Sequence, residues 1–268
     1  MAKDNRVLFI TQEIAPYSPT TDISKIGRSL PQAIQEQGRE IRIFMPKWGN
    51  VNERRNQLHE VIRLSGMNLI IDDTDHLLII KVASIQSARM QVYFIDNEDY
   101  FQGRQQGTDE NGEEYDDNDE RMIFYDRGVL ETVKKLRWCP NVVHCHGWFT
   151  ALAPLYLKRT FNEEPSFMDS KVVYSLYDDE FGKPLQDNFT EKLKLKGITP
   201  EDLANVHKPI TYTELGKLAI DYSDGIVQQM ANVNPELLEY ARQSGKPFLE
   251  YTSDEEMPKA INDFYNRL

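Results

Sequence analysis

The segment from Arg6 to Pro46 constrains this chain more than any other. It opens with an unbroken apolar run, Val7-Leu8-Phe9-Ile10-Thr11, passes through a loop from Gln12 to Ile23, and continues in a helical pattern from about Ser24 to Gln37. Gly38 stops the helix, and a second apolar run, Ile41-Arg42-Ile43-Phe44-Met45, ends at Pro46. A strand with no polar alternation needs cover on both faces, which is the condition of a parallel sheet between helix layers. Ile26, Leu30, Ala33 and Ile34 give the helix one apolar face. Ser24 is placed to cap it, and Gly38 suits a left-handed residue past its end. Pro31 removes one helical hydrogen bond, so a kink or a broken turn is expected there. Strand, loop, helix and parallel strand form the opening unit of a doubly wound α/β sheet. Ligands in such sheets bind beyond the carboxyl ends of the strands, which puts a site at Gln12 to Ile23.

Beyond Pro46 the pattern changes. Val61 to Leu64, Asn68 to Asp72, His76 to Ser84 and Met90 to Asp96 are short β-rich segments, spaced as hairpins around turns such as Asp72-Asp73-Thr74-Asp75. Glu98 to Glu120 is polar and carries eight acidic residues between Asp109 and Glu120. A calcium loop of the EF-hand type fails there, because Gly112 as the sixth residue would put Gly107 first. The stretch reads as a solvated loop. Helical spacing returns from Asn118 to Trp138, a strand follows at Val142 to Cys145, and a helix is expected from about Phe149 to Arg159. Lys171 to Leu176 is another buried strand, and Tyr177 to Pro209 is polar with one or two short helices. Tyr212 to Tyr222, Pro235 to Ser244 and Glu255 to Leu268 read as helices, with strands at Gly225 to Val227 and Phe248 to Tyr251. The expected architecture is a single Rossmann-like, doubly wound, mainly parallel α/β domain over 1–268, with a β-hairpin and acidic-loop insertion at about 51–120.

Composition narrows the function. A net charge of −12 argues against a nucleic-acid partner, since that affinity rests on cations set against phosphates. No apolar run approaches the roughly 20 residues of a membrane span. Met1 to Asn5 lacks the apolar core of a signal peptide, and two cysteines, Cys139 and Cys145, make no disulfide framework. The expectation is a soluble, cytoplasmic protein with no membrane partner.

Three stretches carry a resemblance. The first is V-L-F-I-T-Q-E-I-A-P at Val7 to Pro16, continued by L-P-Q-A-I-Q-E-Q-G-R-E-I-R-I-F-M-P up to Pro46. The second is Asn111 to Tyr115 followed by D-N-D-E-R-M-I-F-Y-D-R-G-V-L-E at Asp117 to Glu131. The third is V-V-H-C-H-G-W-F-T-A-L-A-P-L-Y-L at Val142 to Leu157. With weaker similarity at Tyr222 to Gly225, the chain resembles the amino-terminal domain of glycogen and starch synthases. These are retaining glucosyltransferases of the GT-B fold that extend α-1,4-glucan from ADP-glucose. The resemblance implies glycogen biosynthesis, no cofactor, and either an α-glucan such as a maltooligosaccharide or a nucleotide sugar as ligand. A full-length synthase or a second copy of the chain is the implied protein partner.

The departures from the family pattern shape the functional expectation. The family's phosphate-gripping Lys-Thr-Gly-Gly-Leu falls on Pro19-Thr20-Thr21-Asp22-Ile23, where Pro19 lacks both cation and amide hydrogen and Asp22 would repel a diphosphate. Lys25 is the nearby substitute cation. In the family's His-Ala-His-Asp-Trp-His, the last Asp and His become Gly147 and Phe149, and a further histidine becomes Tyr177. The second GT-B domain is expected to be absent, with the chain ending at Leu268. The resulting expectation is a glucan-binding or regulatory relative, not catalytic alone; the alternative is an active transferase with a partner chain supplying the other domain. The residues expected to line a substrate site are Thr20, Thr21, Lys25, His146, Trp148 and Tyr177, and His146 is the catalytic candidate. His146 reads either as a donor-sugar contact or as a packed strand-end histidine, and Trp148 as a sugar wall or a helix start. His144 is expected to point to the other side of its strand, into the core. His144-Cys145-His146 lacks the partners of a metal site, and none is expected. Asp178 and Asp179 read as turn caps or as a source of a general acid or base.

Overall fold

The computed structural model describes residues 5–268; the reading of Met1 to Asp4 as no leader lies outside the described residues. Among the described residues ten strands form, in the order β1 Arg6–Thr11, β2 Glu40–Pro46, β3 His59–Glu60, β4 Met67–Ile71, β5 Thr74–Ile85, β6 Met90–Asp96, β7 Val142–His146, β8 Lys171–Leu176, β9 Gly225–Gln228 and β10 Phe248–Leu249. The helices are α1 Asp22–Glu36, α2 Asn118–Leu136, α3 Ala153–Arg159, α4 Phe189–Lys192, α5 Tyr212–Asp221, α6 Pro235–Gln243 and α7 Met257–Tyr265.

The strands run β10-β9-β8-β7-β1-β2-β6-β5-β3 across the sheet, and β4 pairs with β5. From β10 to β6 every neighbouring pair is parallel, and β5 then turns the edge antiparallel. After β1 the chain builds outward through β2 and β6, then returns to place β7 on the other side of β1. That reversal makes the carboxyl ends of β1 and β7 the topological switch point, where the crevice of such a sheet lies.

The central strands explain the arrangement. Val7, Leu8, Phe9 and Ile10 are fully buried, as a strand covered by helices on both faces must be. Each such side chain contributes about 1.5–3 kcal/mol by leaving water. α1 starts two residues earlier than its sequence suggests, because Thr21, not Ser24, is the cap: Thr21 Oγ1 accepts from Ser24 N at 3.0 Å and Ser24 Oγ accepts from Thr21 N at 3.0 Å. The helix runs unbroken through Pro31, so the expected break does not occur. Gly27, one turn before it, has no room for a side chain, since a Cβ would lie 2.1 Å from the Glu13 carbonyl oxygen.

The insertion differs in detail from its sequence pattern. Val61 to Leu64 is a turn, not a strand, and the strand before it is only His59–Glu60. The hairpin turn at Asp72 and Asp73 forms with both residues at positive φ, 48° and 64°, the conformation that a two-residue hairpin turn requires. Phe149 does not begin a helix: Trp148–Thr150 makes one 3-10 turn, and α3 starts at Ala153. α7 packs against α1, where Arg39 Nε donates to Asn262 and Arg39 Nη2 to Asn266 Oδ1 at 2.7 Å. Among the described residues, no helix is long and apolar enough to cross a membrane.

Candidate functional site

At the switch point, Gln12 follows β1 and Gly147 follows β7. Gly147 has φ +85°, and a Cβ there would sit 2.3 Å from Gln12 Oε1. The Gln12 side chain therefore fills the space that a larger residue at 147 would need. Its Oε1 accepts from Phe149 N at 3.1 Å, and its Nε2 donates to Asp179 Oδ2 at 3.1 Å. The same Asp179 oxygen accepts from Trp148 N at 2.9 Å, while Asp179 Oδ1 accepts from Tyr212 OH at 2.6 Å. Burial pushes the Asp179 carboxyl up to about 6, against these three donors.

Beside this network lies a cavity of about 310 Å³ walled by Trp48, Trp148 and Phe181, with Glu13, Gln105 and Gln106 among its polar groups. Phe181 meets Trp148 edge to face at 4.9 Å, and Trp48 Nε1 donates to the Gln12 carbonyl at 2.8 Å. The outer wall is the loop after β6, and Arg121 of α2 holds it. Arg121 is fully buried and donates to the carbonyls of Tyr100 at 2.8 Å and Gln105 at 2.7 Å, and to Asn118 Oδ1 at 2.8 Å. Its guanidinium lies over the rings of Tyr115 at 4.6 Å and Trp48 at 5.3 Å. Burial, with the neighbouring Arg104 charge, lowers it to about 9, which leaves it cationic at neutral pH. The stretch expected to be merely solvated thus becomes a cavity wall. Its own Arg104 pairs with Asp117 at 2.5 Å, and Glu114 accepts from Gly182 N at 2.7 Å and Lys183 N at 2.6 Å across the cavity mouth.

The amino end of α1 is built differently. Thr21 Oγ1 donates to Glu13 Oε2 at 2.5 Å, and Lys25 pairs with Asp22 at 2.9 Å on the exposed first turn. Burial raises the Glu13 carboxyl. Pro19 and Thr20 are exposed. The helix dipole here meets its own capping hydroxyl and carboxylate, leaving little to attract a diphosphate. A groove of about 390 Å³ next to it is bordered by Asp22, Lys25, Asp178 and Asp254 over Met230 and Met257.

Beneath the switch point, His144 and His146 lie on the same face of β7 with ring centres 3.9 Å apart. The expectation that His144 turns away from His146 is corrected by the strand period itself, since residues two apart share a face. His144 is nevertheless a core residue, its Nδ1 bonded to Tyr265 OH and its Nε2 to Ser175 Oγ, both at 2.6 Å. His146 Nδ1 bonds to Tyr177 OH at 2.8 Å, and its Nε2 is buried with no partner. Burial lowers His146 to about 3, so it stays neutral at ordinary pH. Among the described residues, no group of three or more His, Cys, Asp and Glu side chains is placed to hold a metal.

The structure separates the residues that sequence puts together. Thr21 and Trp148 line the aromatic cavity, Lys25 borders the groove, Thr20 is on the surface, and His146 and Tyr177 are bonded to each other in the interior. Asp179 caps no turn of its own; it bonds across to Trp148, Gln12 and Tyr212. Sequence reasoning placed a site on the loop that begins at Gln12, but missed the part played by the Gln12 side chain and by Trp48, Gln105, Gln106, Arg121 and Phe181. Arg121 sits in the polar first turn of α2, Asn118-Asp119-Glu120-Arg121, and carries no sequence signal of its burial.

Residues 6–245 match the model of the starch synthase catalytic domain. The glycogen synthase of Chlorobium limicola is 39% identical over 180 residues, covering 66% of this chain and 37% of that one. That of Chlorobaculum parvum is 31% identical over 226 residues, covering 84% and 46%. The chain thus aligns with less than half the length of these curated relatives. The catalytic domain of starch synthase IV from Arabidopsis thaliana, bound to ADP and acarbose, superposes with a TM-score of 0.73 at 16% identity, over 93% of this chain and 51% of that one. That likeness gives the fold, an α/β glycosyltransferase half of GT-B type, and the match along residues 6–245 gives the lineage: this chain belongs to the starch synthase catalytic domain family.

Proposed function

We propose that the chain binds an α-1,4-glucan in the cavity between Trp48, Trp148 and Phe181, and that it does not transfer glucose by itself. The observation that carries this reading is the make-up of that cavity. The rings of Trp48, Trp148 and Phe181 share its lining with the amides of Gln105 and Gln106 and the carboxylates of Glu13 and Glu180. Aromatic rings cover the C–H faces of a sugar, and amides and carboxylates accept from its hydroxyls. A neutral ligand tolerates this acidic lining. A nucleotide diphosphate does not, and the α1 end offers only Lys25, already paired with Asp22.

The test is calorimetry with maltoheptaose and with ADP-glucose. Saturable heat with the oligosaccharide and none with the nucleotide sugar is expected; sustained glucose transfer from ADP-glucose by the purified chain overturns the reading. One observation favours the second reading, transfer with a partner chain supplying the opposite domain: His146 Nε2, at the carboxyl end of β7, is buried without a hydrogen-bond partner. Turnover appearing only when a full-length synthase variant lacking its own amino-terminal activity is added would establish it.

A further inference from the structure

We infer that Asp179 is a positioning residue of the aromatic cavity: it fixes the Trp148 backbone and the Gln12 side chain, and so sets the cavity's affinity for sugar. The inference rests on the glucan-binding reading for its ligand, and on geometry alone for its action on Trp148. One carboxylate collects donors from three separate elements: Gln12 Nε2 from the loop after β1, Trp148 N from the turn after β7, and Tyr212 OH from α5. Gln12 in turn holds the next amide, Phe149 N. The two successive amides at the cavity wall are therefore gripped by two side chains that also grip each other. The closed ring exists only because residue 147 is glycine, since any Cβ there would collide with Gln12. Two residues past Asp179, Phe181 packs on both Trp148 and Tyr212, so the same loop also sets the ring that packs edge to face on Trp148 at the cavity wall.

Charge makes the grip depend on pH. The anionic carboxylate is the stronger acceptor, and its hydrogen bonds to Trp148 and Gln12 weaken when it takes a proton. Burial brings that event up to about 6. The groups facing it are Glu13 on the loop after β1, Tyr212 on α5, and Tyr174 and Tyr177 on its own side, with Glu180 beside it in the chain and His146 one step further, bonded to Tyr177. The three tyrosines are all raised by burial and stay protonated, and His146 stays neutral. Glu13 is raised as well and is the rival source of any pH step.

The experiment follows the Trp148 backbone amide by nuclear magnetic resonance in labelled protein between pH 5 and pH 8, with maltoheptaose affinity measured over the same range. The expected result is an amide shift with a midpoint near pH 6, absent in Asp179→Asn and retained in Glu13→Gln. Affinity should fall about tenfold from the alkaline to the acid side, the change expected when a charge-assisted hydrogen bond becomes a neutral one. A Trp148 amide that does not titrate, or a step that survives Asp179→Asn and vanishes in Glu13→Gln, overturns the inference. If the amide titrates as stated but wild-type protein binds no maltoheptaose at any pH, the glucan reading fails while the positioning of Trp148 by Asp179 stands.

Discussion

The aromatic cavity and the groove beside Lys25 lie on either side of the amino end of α1 and both reach the loop after β8, yet they are finished in opposite ways. In the cavity, the charged side chains that organise the walls point away from the ligand space. Arg121 is buried behind Trp48 and Tyr115, and Asp179 is turned onto backbone and amide donors. What faces inward is ring, amide and the carboxylates of Glu13 and Glu180, with no cation among the lining residues. In the groove, the charges themselves form the rim: Asp22 and Lys25 cancel each other, and Asp178 and Asp254 add more negative charge. The difference teaches that two neighbouring concavities can share one loop and diverge by where its charges are used. Here the charges build walls on one side and neutralise a helix end on the other.

The strongest way to break this comparison is to remove the cation behind the cavity wall. Arg121→Ala leaves the Tyr100 and Gln105 carbonyls and Asn118 without their donor in the interior, and should cost about 3–5 kcal/mol in denaturant unfolding. A cost under about 1 kcal/mol would mean the wall does not depend on Arg121. Next in size, Trp148→Ala should weaken maltoheptaose binding by about 2–3 kcal/mol by calorimetry, as loss of a central aromatic anchor does. An unchanged heat would move the ligand out of the cavity.

A smaller effect sharpens the boundary between the two regions. Gly147→Ala forces a side chain against Gln12 at a positive φ, and should destabilise by about 1–3 kcal/mol in thermal unfolding. Combining it with Gln12→Ser should recover part of that loss, because the collision is removed and the backbone strain remains. The smallest change is expected in the groove. Lys25→Ala breaks an exposed ion pair and should alter stability by less than about 0.5 kcal/mol, with no effect on maltoheptaose affinity. A large loss of sugar binding in that variant would merge the two regions into one site.

Much of the scaffold is legible in the sequence. The apolar runs at Val7, Ile41, Val142 and Lys171 became adjacent parallel strands because an uninterrupted apolar strand is stable only between two covering layers. Errors came where local signals compete. Ser24 looked like the cap, but the Thr21 hydroxyl reaches Ser24 N and starts the helix earlier. Pro31 looked like a break, yet packing of Leu30 and Ile34 in the core carries the helix through. Val61 to Leu64 has strand composition but no partner strand alongside all of it. For the site, Trp148 and Thr21 were visible as residue types in a suggestive segment, whereas Phe181 and Gln105 sat in stretches that composition marks only as polar loop.

What the sequence determined by itself was periodicity and order: which segments are strands or helices, that the sheet is parallel and doubly wound, and that a crevice lies after β1. These follow from residues near one another in the chain, whose burial pattern is written in their spacing. Only the tertiary structure decided which side chains meet in that crevice. Gln12 and Asp179 are 167 positions apart, and the bond between them exists because β7 returns beside β1 and carries β8 with it. Spacing along a chain says which way a side chain faces, but a hydrogen bond also needs a partner within about 3 Å. The packing of the whole sheet supplies that partner.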